Sequence, residues 1–292
     1  MPIMLKDHLT DLGEVWSSAW EALLEASPAY FAAYLKMRSV PIKNRHLSRK
    51  LQELLLLACD ASCTHLFEPG VRLHTENALK AGATKEEVLE VLMRASVLGI
   101  HAVSVGLPIL FEVLVEDGKM TEEELNVPND AYREQLKTDF TEKRGFWAPH
   151  YQKLITIGKQ GEDIPYAKLK KTKCLDPNDL FLTAPDFFDA YITYSSAPTI
   201  DGGHLSPRDR ELVYTAIDCS TTHLYGYGLK THVRNALRYG ATPEVIVEVY
   251  ELAALMGVQT LLLGVPILKE TLAQLSSSRE HPIERVTHDT TG

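Results

Sequence analysis

Apolar residues recur every three to four positions along most of the chain, which is the spacing that predicts amphipathic helices. The stretch from Gly13 to Glu25 carries such an apolar stripe. Pro28, Ser48 and Thr84 each stand where a new helix is expected to begin, and Pro108 is expected to bend or restart a helix. Strand-like alternation of apolar and polar residues is hard to find. The pattern therefore predicts an all-α protein.

One stretch of the sequence occurs twice. The first copy runs from Asp60 to Thr84 and the second from Asp218 to Thr242; subtracting 60 from 218, or 84 from 242, gives the same offset of 158. Each copy contains two histidines nine residues apart, and these are His65, His74, His223 and His232. An internal repeat of this length predicts two tandem helical-bundle repeats.

The predicted organisation is a first helical repeat over residues 1–118, a charged connector over 119–145 and a second repeat over 146–275. The segment from Phe146 to Gln160 is predicted to be the opening helix of the second repeat. An insertion near 161–182 has no counterpart in the first repeat. Residues 276–292 form a polar tail for which no ordered structure is expected.

The composition is that of an ordinary globular protein, with 45% hydrophobic and 24% charged residues. The formal net charge of −9 argues against a nucleic-acid or membrane partner, because a surface that binds phosphates needs an excess of basic side chains. No uninterrupted apolar run approaches the roughly 20 residues of a membrane span, and the N-terminus lacks the pattern of a secretory signal. Four cysteines in a chain of this length do not form a disulfide framework, so a cytoplasmic location is expected.

The four repeated histidines are the leading candidates for chemistry. His74 and His232 share the apolar faces of their helices, where an unpaired ring nitrogen would cost roughly 1–3 kcal/mol. His65 and His223 follow the preceding helix in a predicted turn. One interpretation is an acid/base pair that faces a cavity, because a histidine with a pKa of about 6.5 exchanges protons at neutral pH. The alternative is a structural role, in which neighbouring groups hold the rings.

A metal site is a further alternative. Each copy offers one carboxylate and two imidazoles, a donor set that can hold zinc or iron. The candidate ligands are Asp60, His65 and His74 in the first copy and Asp218, His223 and His232 in the second. Their spacing matches no specific metal motif, so the leading hypothesis invokes no cofactor.

The sequence resembles the carboxymuconolactone decarboxylase family, whose superfamily includes the alkylhydroperoxidase D proteins. The resemblance lies in a basic-x-x-Glu-Leu segment and in a segment that runs from the second histidine to a Glu-Val pair. These segments are Lys50–Leu54 and His74–Val91 in the first copy, and Arg208–Leu212 and His232–Val249 in the second. The resemblance implies an all-α helical bundle that assembles into a homo-oligomer, a trimer or a dimer for a chain with two fused repeats.

Members of this family act on small unsaturated lactones or reduce peroxides through a Cys-x-x-Cys-x-x-x-His motif. The family histidine corresponds to His74 and His232, whereas Gly70 and Gly228 stand where the second cysteine would be. The missing Cys-x-x-Cys argues against a thiol peroxidase. The decarboxylase branch tends to have an acidic residue at the position of these glycines.

The leading hypothesis is a cofactor-independent lyase, a decarboxylase or isomerase, that acts on a small, acidic, conjugated metabolite such as a carboxylated lactone. His74 and His232 would deliver a proton to carbon, and His65 and His223 would bind the carboxylate or the oxygen of the developing enolate. The candidate catalytic residues are His74, His232, His65, His223, Glu53 and Glu211. The candidate substrate-binding residues are Arg72, Lys230, Asn77 and Asn235. The rival hypotheses are a metal-dependent enzyme and a non-catalytic binding or scaffold protein of the same fold.

Overall fold

The structure is a computed structural model that describes residues 2–119, 121, 131–146, 183–200 and 202–280. Within these ranges all regular secondary structure is helical and no strand is present. The all-α fold class predicted from the hydrophobic pattern is confirmed.

The described helices range from 9 to 22 residues in length. Those before the connector are α1 Pro2–Asp11, α2 Ser18–Ala26, α3 Pro28–Asn44, α4 Arg49–Ala61, α5 Glu68–Lys80, α6 Lys85–Ser96 and α7 Ile100–Glu116. The later ones are α8 Ala131–Arg144, α9 Thr183–Ser196, α10 Pro207–Cys219, α11 Gly226–Arg238, α12 Pro243–Ala254 and α13 Gln259–Glu280. Short 3₁₀ turns follow α6, α9 and α12 at Val97–Gly99, Ala197–Thr199 and Leu255–Val258.

Helix starts follow the local capping chemistry expected from the sequence. The Ser48 hydroxyl accepts a hydrogen bond from the Leu51 N–H at the start of α4, and Ser206 caps α10 in the same way. Thr84 and Glu87 form a reciprocal capping box at the start of α6.

Three helix boundaries differ from the prediction, two of them before the connector and one near the C-terminus. The helix expected from Gly13 begins at Ser18, because Gly13 has a left-handed φ of 87° and the Ser17 hydroxyl caps α2. The break expected at Pro108 lies earlier, at the 3₁₀ turn Val97–Gly99, and Pro108 lies within α7.

At the C-terminus α13 extends to Glu280, so the first residues of the predicted polar tail are helical. The rest of that tail, the insertion and the predicted helix after Phe146 lie outside the described residues.

The described residues form two compact units, one drawn from residues 1–46 and 254–292 and the other from residues 47–253. In the first unit, α2 packs against α3 and α13, and the Trp20 ring stacks on Tyr34. In the second unit, α4 and its repeat counterpart α10 pack against each other, with α5 against α4 and α11 against α10. The limits predicted for the two repeats, 1–118 and 146–275, remain a prediction, because the first compact unit combines residues from both ends of the chain.

Helix α4 lies at the centre of the second unit. All ten residues from Leu51 to Asp60 are buried, including the carboxylates of Glu53 and Asp60. A carboxylate on a helix that is buried on every face needs a polar partner from a neighbouring helix. Helix α5 supplies that partner.

Two helical stretches, Lys85–Glu116 and Pro243–Ser276, are long and apolar enough to cross a membrane by length and composition alone. Each contains a 3₁₀ turn, so neither is one continuous α-helix. The sequence analysis counted uninterrupted apolar runs and did not identify them. Core helices of globular proteins meet the same criterion, so the absence of a membrane partner stays a prediction.

Candidate active site

Glu53, Asp60 and His74 form a buried cluster between α4 and α5. The Nδ1 atom of His74 lies 2.7 Å from Glu53 Oε2, and its Nε2 atom lies 3.6 Å from Asp60 Oδ2. None of the three side chains is more than 5% exposed. Each ring nitrogen therefore faces a carboxylate oxygen, at hydrogen-bond distance for Glu53 and beyond it for Asp60.

The second repeat contains the same cluster, between α10 and α11. The Nδ1 atom of His232 lies 2.7 Å from Glu211 Oε2, and its Nε2 atom lies 3.9 Å from Asp218 Oδ2. The distance between histidine and glutamate is identical in the two repeats although the surrounding side chains differ. The arrangement is thus a property of the repeated unit.

Helix geometry explains how one histidine contacts two carboxylates. Glu53 and Asp60 are seven residues apart, about two turns of helix, so both side chains project from the same face of α4. Their Cα atoms are separated by roughly 10 Å along the axis, a span that an imidazole from the adjoining helix bridges. Glu211 and Asp218 have the same separation on α10.

Glycine at positions 70 and 228 makes room for the aspartates. A Cβ atom built on Gly70 would overlap the Asp60 carboxylate, and one built on Gly228 would overlap the Asp218 carboxylate. The family that the sequence resembles has a cysteine at these positions in its peroxidase branch and tends to have an acidic residue there in its decarboxylase branch. The structure instead places the aspartate carboxylate in the volume that such a side chain would occupy.

His65 and His223 approach the same aspartates from the turn after α4 or α10. Their Nε2 atoms lie 3.6 Å from Asp60 Oδ1 and 3.7 Å from Asp218 Oδ1. Their side chains are 19% and 11% exposed, against 5% for His74 and 12% for His232. Each aspartate therefore lies between two histidines, which differ clearly in exposure only in the first repeat, and the structure brings together all six candidate catalytic residues in two clusters.

The turn that carries His65 is tightly held by its backbone. The Leu66 residue adopts a left-handed φ of 49°, and its N–H donates to the Ser62 carbonyl. The next N–H, of Phe67, donates to the carbonyl of Asp60. These bonds fix the direction of the His65 side chain, and the second repeat has the same bonds and the same φ at Leu224.

The second cluster has an additional imidazole from the first repeat. His101 on α7 places its Nδ1 atom 2.6 Å from His223 Nε2, and its ring stacks on Tyr225 with centroids 3.8 Å apart. The repeat offset pairs His101 with Gln259 and Tyr225 with Phe67, so these two groups occur once. The sequence analysis did not assign His101 to a site. The signal that could have identified it is the difference between the repeats, because the equivalent position holds Gln259 and not a histidine.

Burial sets the protonation of the second cluster. Burial raises the pKa of Asp218 to about 7, an effect that Glu211 increases and His232 opposes. Among the described residues Asp218 Oδ2 has no hydrogen-bond partner. Burial also lowers the pKa of His223. An aspartic acid that holds its proton near neutral pH thus lies beside a histidine that favours its neutral form.

The predicted substrate-binding residues have different locations. Arg72 is turned to solvent and pairs with Glu68 at 2.6 Å, and Lys230 is exposed. Asn77 Nδ2 donates to Glu53 Oε2 over 3.4 Å, and Asn235 is buried on α11. Neither cation contacts the clusters in the described contacts, whereas Asn77 supports the Glu53 carboxylate.

A cavity of about 220 Å³ adjoins the second cluster. Its lining includes Glu211 and Tyr214, and the Tyr214 ring stacks on His232 with centroids 4.6 Å apart. The cationic lining residues are Arg94, Lys143, Arg144 and Arg210. The sequence analysis missed these cations, because they come from three helices far apart in the sequence.

Three potential metal ligands also meet in the second cluster. One ligand atom each from His101, Asp218 and His223 lie within 4.8 Å of one another. The sequence analysis named His232 where the structure places His101. The two imidazole nitrogens are 2.6 Å apart, closer than the roughly 3.3 Å expected for two nitrogens on a tetrahedral zinc. A metal ion would require these rings to separate.

The family model for the carboxymuconolactone decarboxylase family matches residues 28–108 and 185–270. The chain belongs to the carboxymuconolactone decarboxylase family. A crystal structure from Burkholderia xenovorans LB400, described as a candidate gamma-carboxymuconolactone decarboxylase subunit, is 39% identical with a TM-score of 0.80. The similarity covers 94% of this chain and 98% of that one. No curated protein gives a significant match. The two matched regions confirm the predicted tandem repeats.

As a carboxymuconolactone decarboxylase family member, this chain has none of its cysteines at the peroxidase positions, which are Phe67 with Gly70 and Tyr225 with Gly228. Burial raises the pKa of Cys59 well above its ordinary value and that of Cys219 to about 12. Because the thiolate is the reactive form, neither thiol is suited to attack a peroxide.

Proposed function

We propose that this protein is a lyase that decarboxylates a small, conjugated, carboxylated lactone without a cofactor. The observation that carries the proposal is the buried Glu–His–Asp cluster, present twice with the same 2.7 Å contact between histidine and glutamate. Family membership supports the class of reaction. Because the similar crystal structure is described as a gamma-carboxymuconolactone decarboxylase subunit, gamma-carboxymuconolactone is the first substrate to test.

The reaction needs an electron acceptor in the substrate and a proton from the protein. Loss of carbon dioxide breaks the bond between the carboxylate carbon and the ring, and the electron pair of that bond passes into the conjugated carbonyl as an enolate. A proton is then added to carbon, which restores the carbonyl. No oxidant or reductant is consumed, so positioned acids and bases are sufficient chemistry.

The burial of the side chains suggests the order of proton transfer. In the first repeat His65 is the more exposed imidazole and would contact the substrate, and His223, which holds the same position in the second repeat, would do the same. Asp218, with its pKa of about 7, would hold the proton behind His223, and His232 with Glu211 would replace it. The sequence hypothesis assigned direct proton delivery to His74 and His232, but the burial of His74 favours a role behind Asp60, and His232 holds the same position in the second repeat.

The test is a direct assay of carbon dioxide release. We expect the wild type to release carbon dioxide from gamma-carboxymuconolactone and, in deuterium oxide, to place one deuterium at the new C–H bond. Replacing both aspartates, Asp60→Asn with Asp218→Asn, should reduce kcat by roughly 10²–10⁴, the contribution of a positioned acid or base. Asp139→Asn, a partly exposed aspartate on α8 whose carboxylate accepts a hydrogen bond from Gln135, is the matched control.

Two results would contradict the proposal. One is the absence of carbon dioxide release across a panel of unsaturated lactone acids with folded protein. The other is an unchanged kcat in the double aspartate variant. The single variants Asp60→Asn and Asp218→Asn would show which repeat carries the turnover.

A metal-dependent enzyme is the second candidate, and the group formed by His101, Asp218 and His223 favours it. Neutral imidazoles and a carboxylate suit zinc, which would act as a Lewis acid on a carbonyl oxygen. Elemental analysis of wild type and His101→Gln, which introduces the residue found at the equivalent position 259, tests this candidate. Stoichiometric zinc in the wild type that is lost in His101→Gln would establish it in place of the cofactor-free reaction.

A further inference from the structure

We propose that a subsite for the carboxylate of a small organic acid lies beside the second acid/base cluster, and that the first cluster has no equivalent. The subsite is the cavity of about 220 Å³ beside Glu211 and Tyr214. The inference rests on the proposed function for the identity of the substrate, whereas its binding test does not require turnover.

Positive charge is in excess around this cavity. Four cationic side chains line it, Arg94, Lys143, Arg144 and Arg210, against two carboxylates, Glu142 and Glu211. A third carboxylate, Glu90, lies behind the lining and bonds Arg94 at 2.5 and 2.9 Å and Arg210 at 3.1 Å. Even with Glu90 included, the group retains one net positive charge. An anion in the cavity would balance it.

The buried guanidinium groups are crowded together. Burial lowers the pKa of Arg210, and the charge of Arg94 lowers it further. Arg94 is itself almost fully buried, with a side-chain exposure of 3%. Bringing a carboxylate between such cations forms charge-assisted hydrogen bonds, which are shorter and roughly twice as strong as neutral ones.

Tyr214 adds a hydrogen-bond donor aimed by its neighbours. Its hydroxyl oxygen accepts hydrogen bonds from Arg94 Nη1 at 3.1 Å and from Arg144 Nη1 at 2.9 Å. Because these two bonds use both lone pairs of the phenol oxygen, its hydrogen can be donated to an acceptor in the cavity. The same ring stacks on His232, so Tyr214 connects the anion subsite to the acid/base cluster.

The size of the cavity limits the ligand. At about 220 Å³ it is smaller than the roughly 300–1,000 Å³ pockets that hold drug-sized ligands. A small mono- or dicarboxylic acid fits this volume, whereas a nucleotide does not. The carboxylate bound here would be one that the reaction retains, because guanidinium contacts stabilise the charged group and oppose its loss as carbon dioxide.

The first acid/base cluster lacks equivalents of these groups. The offset of 158 pairs Tyr214 with Leu56, Arg210 with Gln52 and Arg94 with Leu252. Each cation or hydroxyl is thus replaced by an apolar or neutral side chain. The two acid/base clusters are alike, so the anion subsite distinguishes the repeats and predicts one carboxylate bound per chain.

Isothermal titration calorimetry with fumarate, a small conjugated dicarboxylate, tests the proposal. We expect one fumarate per chain and no heat with fumaramide, its uncharged analogue. Arg144→Gln and Arg210→Gln should each weaken binding about tenfold, a change of about 1.4 kcal/mol. Tyr214→Phe keeps the ring but removes the hydroxyl and should weaken binding severalfold. Arg234→Gln, an exposed arginine on α11, is the matched control and should leave the affinity unchanged.

Unchanged affinity in the Arg144→Gln and Arg210→Gln variants would overturn the proposal, as would two fumarates per chain or equal binding of fumaramide. If the arginine variants do not fold, Tyr214→Phe decides, because full affinity in that variant contradicts the assigned donor. Asp218→Asn should retain fumarate binding but lose turnover. Fumarate binding without any carbon dioxide release therefore refutes the proposed function alone, and turnover without binding refutes the subsite alone.

Discussion

A single methyl group added at Gly228 tests whether Asp218 depends on the space that this glycine leaves. In Gly228→Ala the new Cβ would overlap the Asp218 carboxylate and the edge of the Tyr225 ring. Overpacking of this kind costs about 1–3 kcal/mol, whereas alanine in a helix is favoured over glycine by up to about 1 kcal/mol. Gly226→Ala supplies the comparison in the same helix, because its Cβ would meet no atom within 4 Å.

The expected result is a difference of about 1–3 kcal/mol in the free energy of unfolding between the two variants, with Gly228→Ala the less stable. Urea unfolding measures this difference, and the carbon dioxide assay should show a larger loss of kcat in Gly228→Ala. A double-mutant cycle tests whether the Asp218 carboxylate is the cause. In an Asp218→Ala background, Gly228→Ala should lower the free energy of unfolding by less than it does in the wild type. Equal stability and activity of Gly226→Ala and Gly228→Ala would refute the reasoning.

Three further predictions follow from the clusters and the family. The raised pKa of Asp218 means that the folded state keeps a proton between its ordinary value of 3.8 and about 7, so stability should fall as the pH rises through this window. The full effect is about 4 kcal/mol, and urea unfolding at pH 4 and pH 8 should show a smaller decrease in Asp218→Asn. Replacing His74 and His232 together by glutamine should abolish turnover while the protein remains folded by circular dichroism; a variant that unfolds instead would support the structural role of these histidines. The wild type should form a homo-oligomer, a trimer or a dimer, by light scattering, and a monomer at micromolar concentration would contradict this prediction.

Much of the site was predictable because the repeat displayed it twice. The offset of 158 identified the four histidines and the glutamates Glu53 and Glu211, and the structure brings them together within each repeat. Their contacts are between adjacent helices, α4 with α5 and α10 with α11, so short-range connectivity was sufficient to place them. The sequence analysis named the aspartates as candidate metal ligands. It could not predict that their carboxylates occupy the space beside Gly70 and Gly228, because that depends on how the helices pack.

The anion subsite and His101 could not be predicted in this way. His101 lies 122 residues from His223, and Arg94 lies 120 residues from Tyr214. Neither residue type recurs at the repeat offset, so the sequence contained no internal copy that would single them out. Contacts between such distant residues depend on how α6, α7 and α8 pack around α10.

The amino-acid sequence by itself determined the helices, their caps and the duplicated acid/base groups, because hydrophobic periodicity and capping are local properties of the chain. Tertiary structure alone decided which aspartate oxygen faces which imidazole, how far burial shifts the pKa of Asp218, and where the cationic cavity forms. These properties arise from desolvation and from contacts between residues that are distant in the sequence. The two repeats thus share a local pattern, and their different surroundings distinguish them.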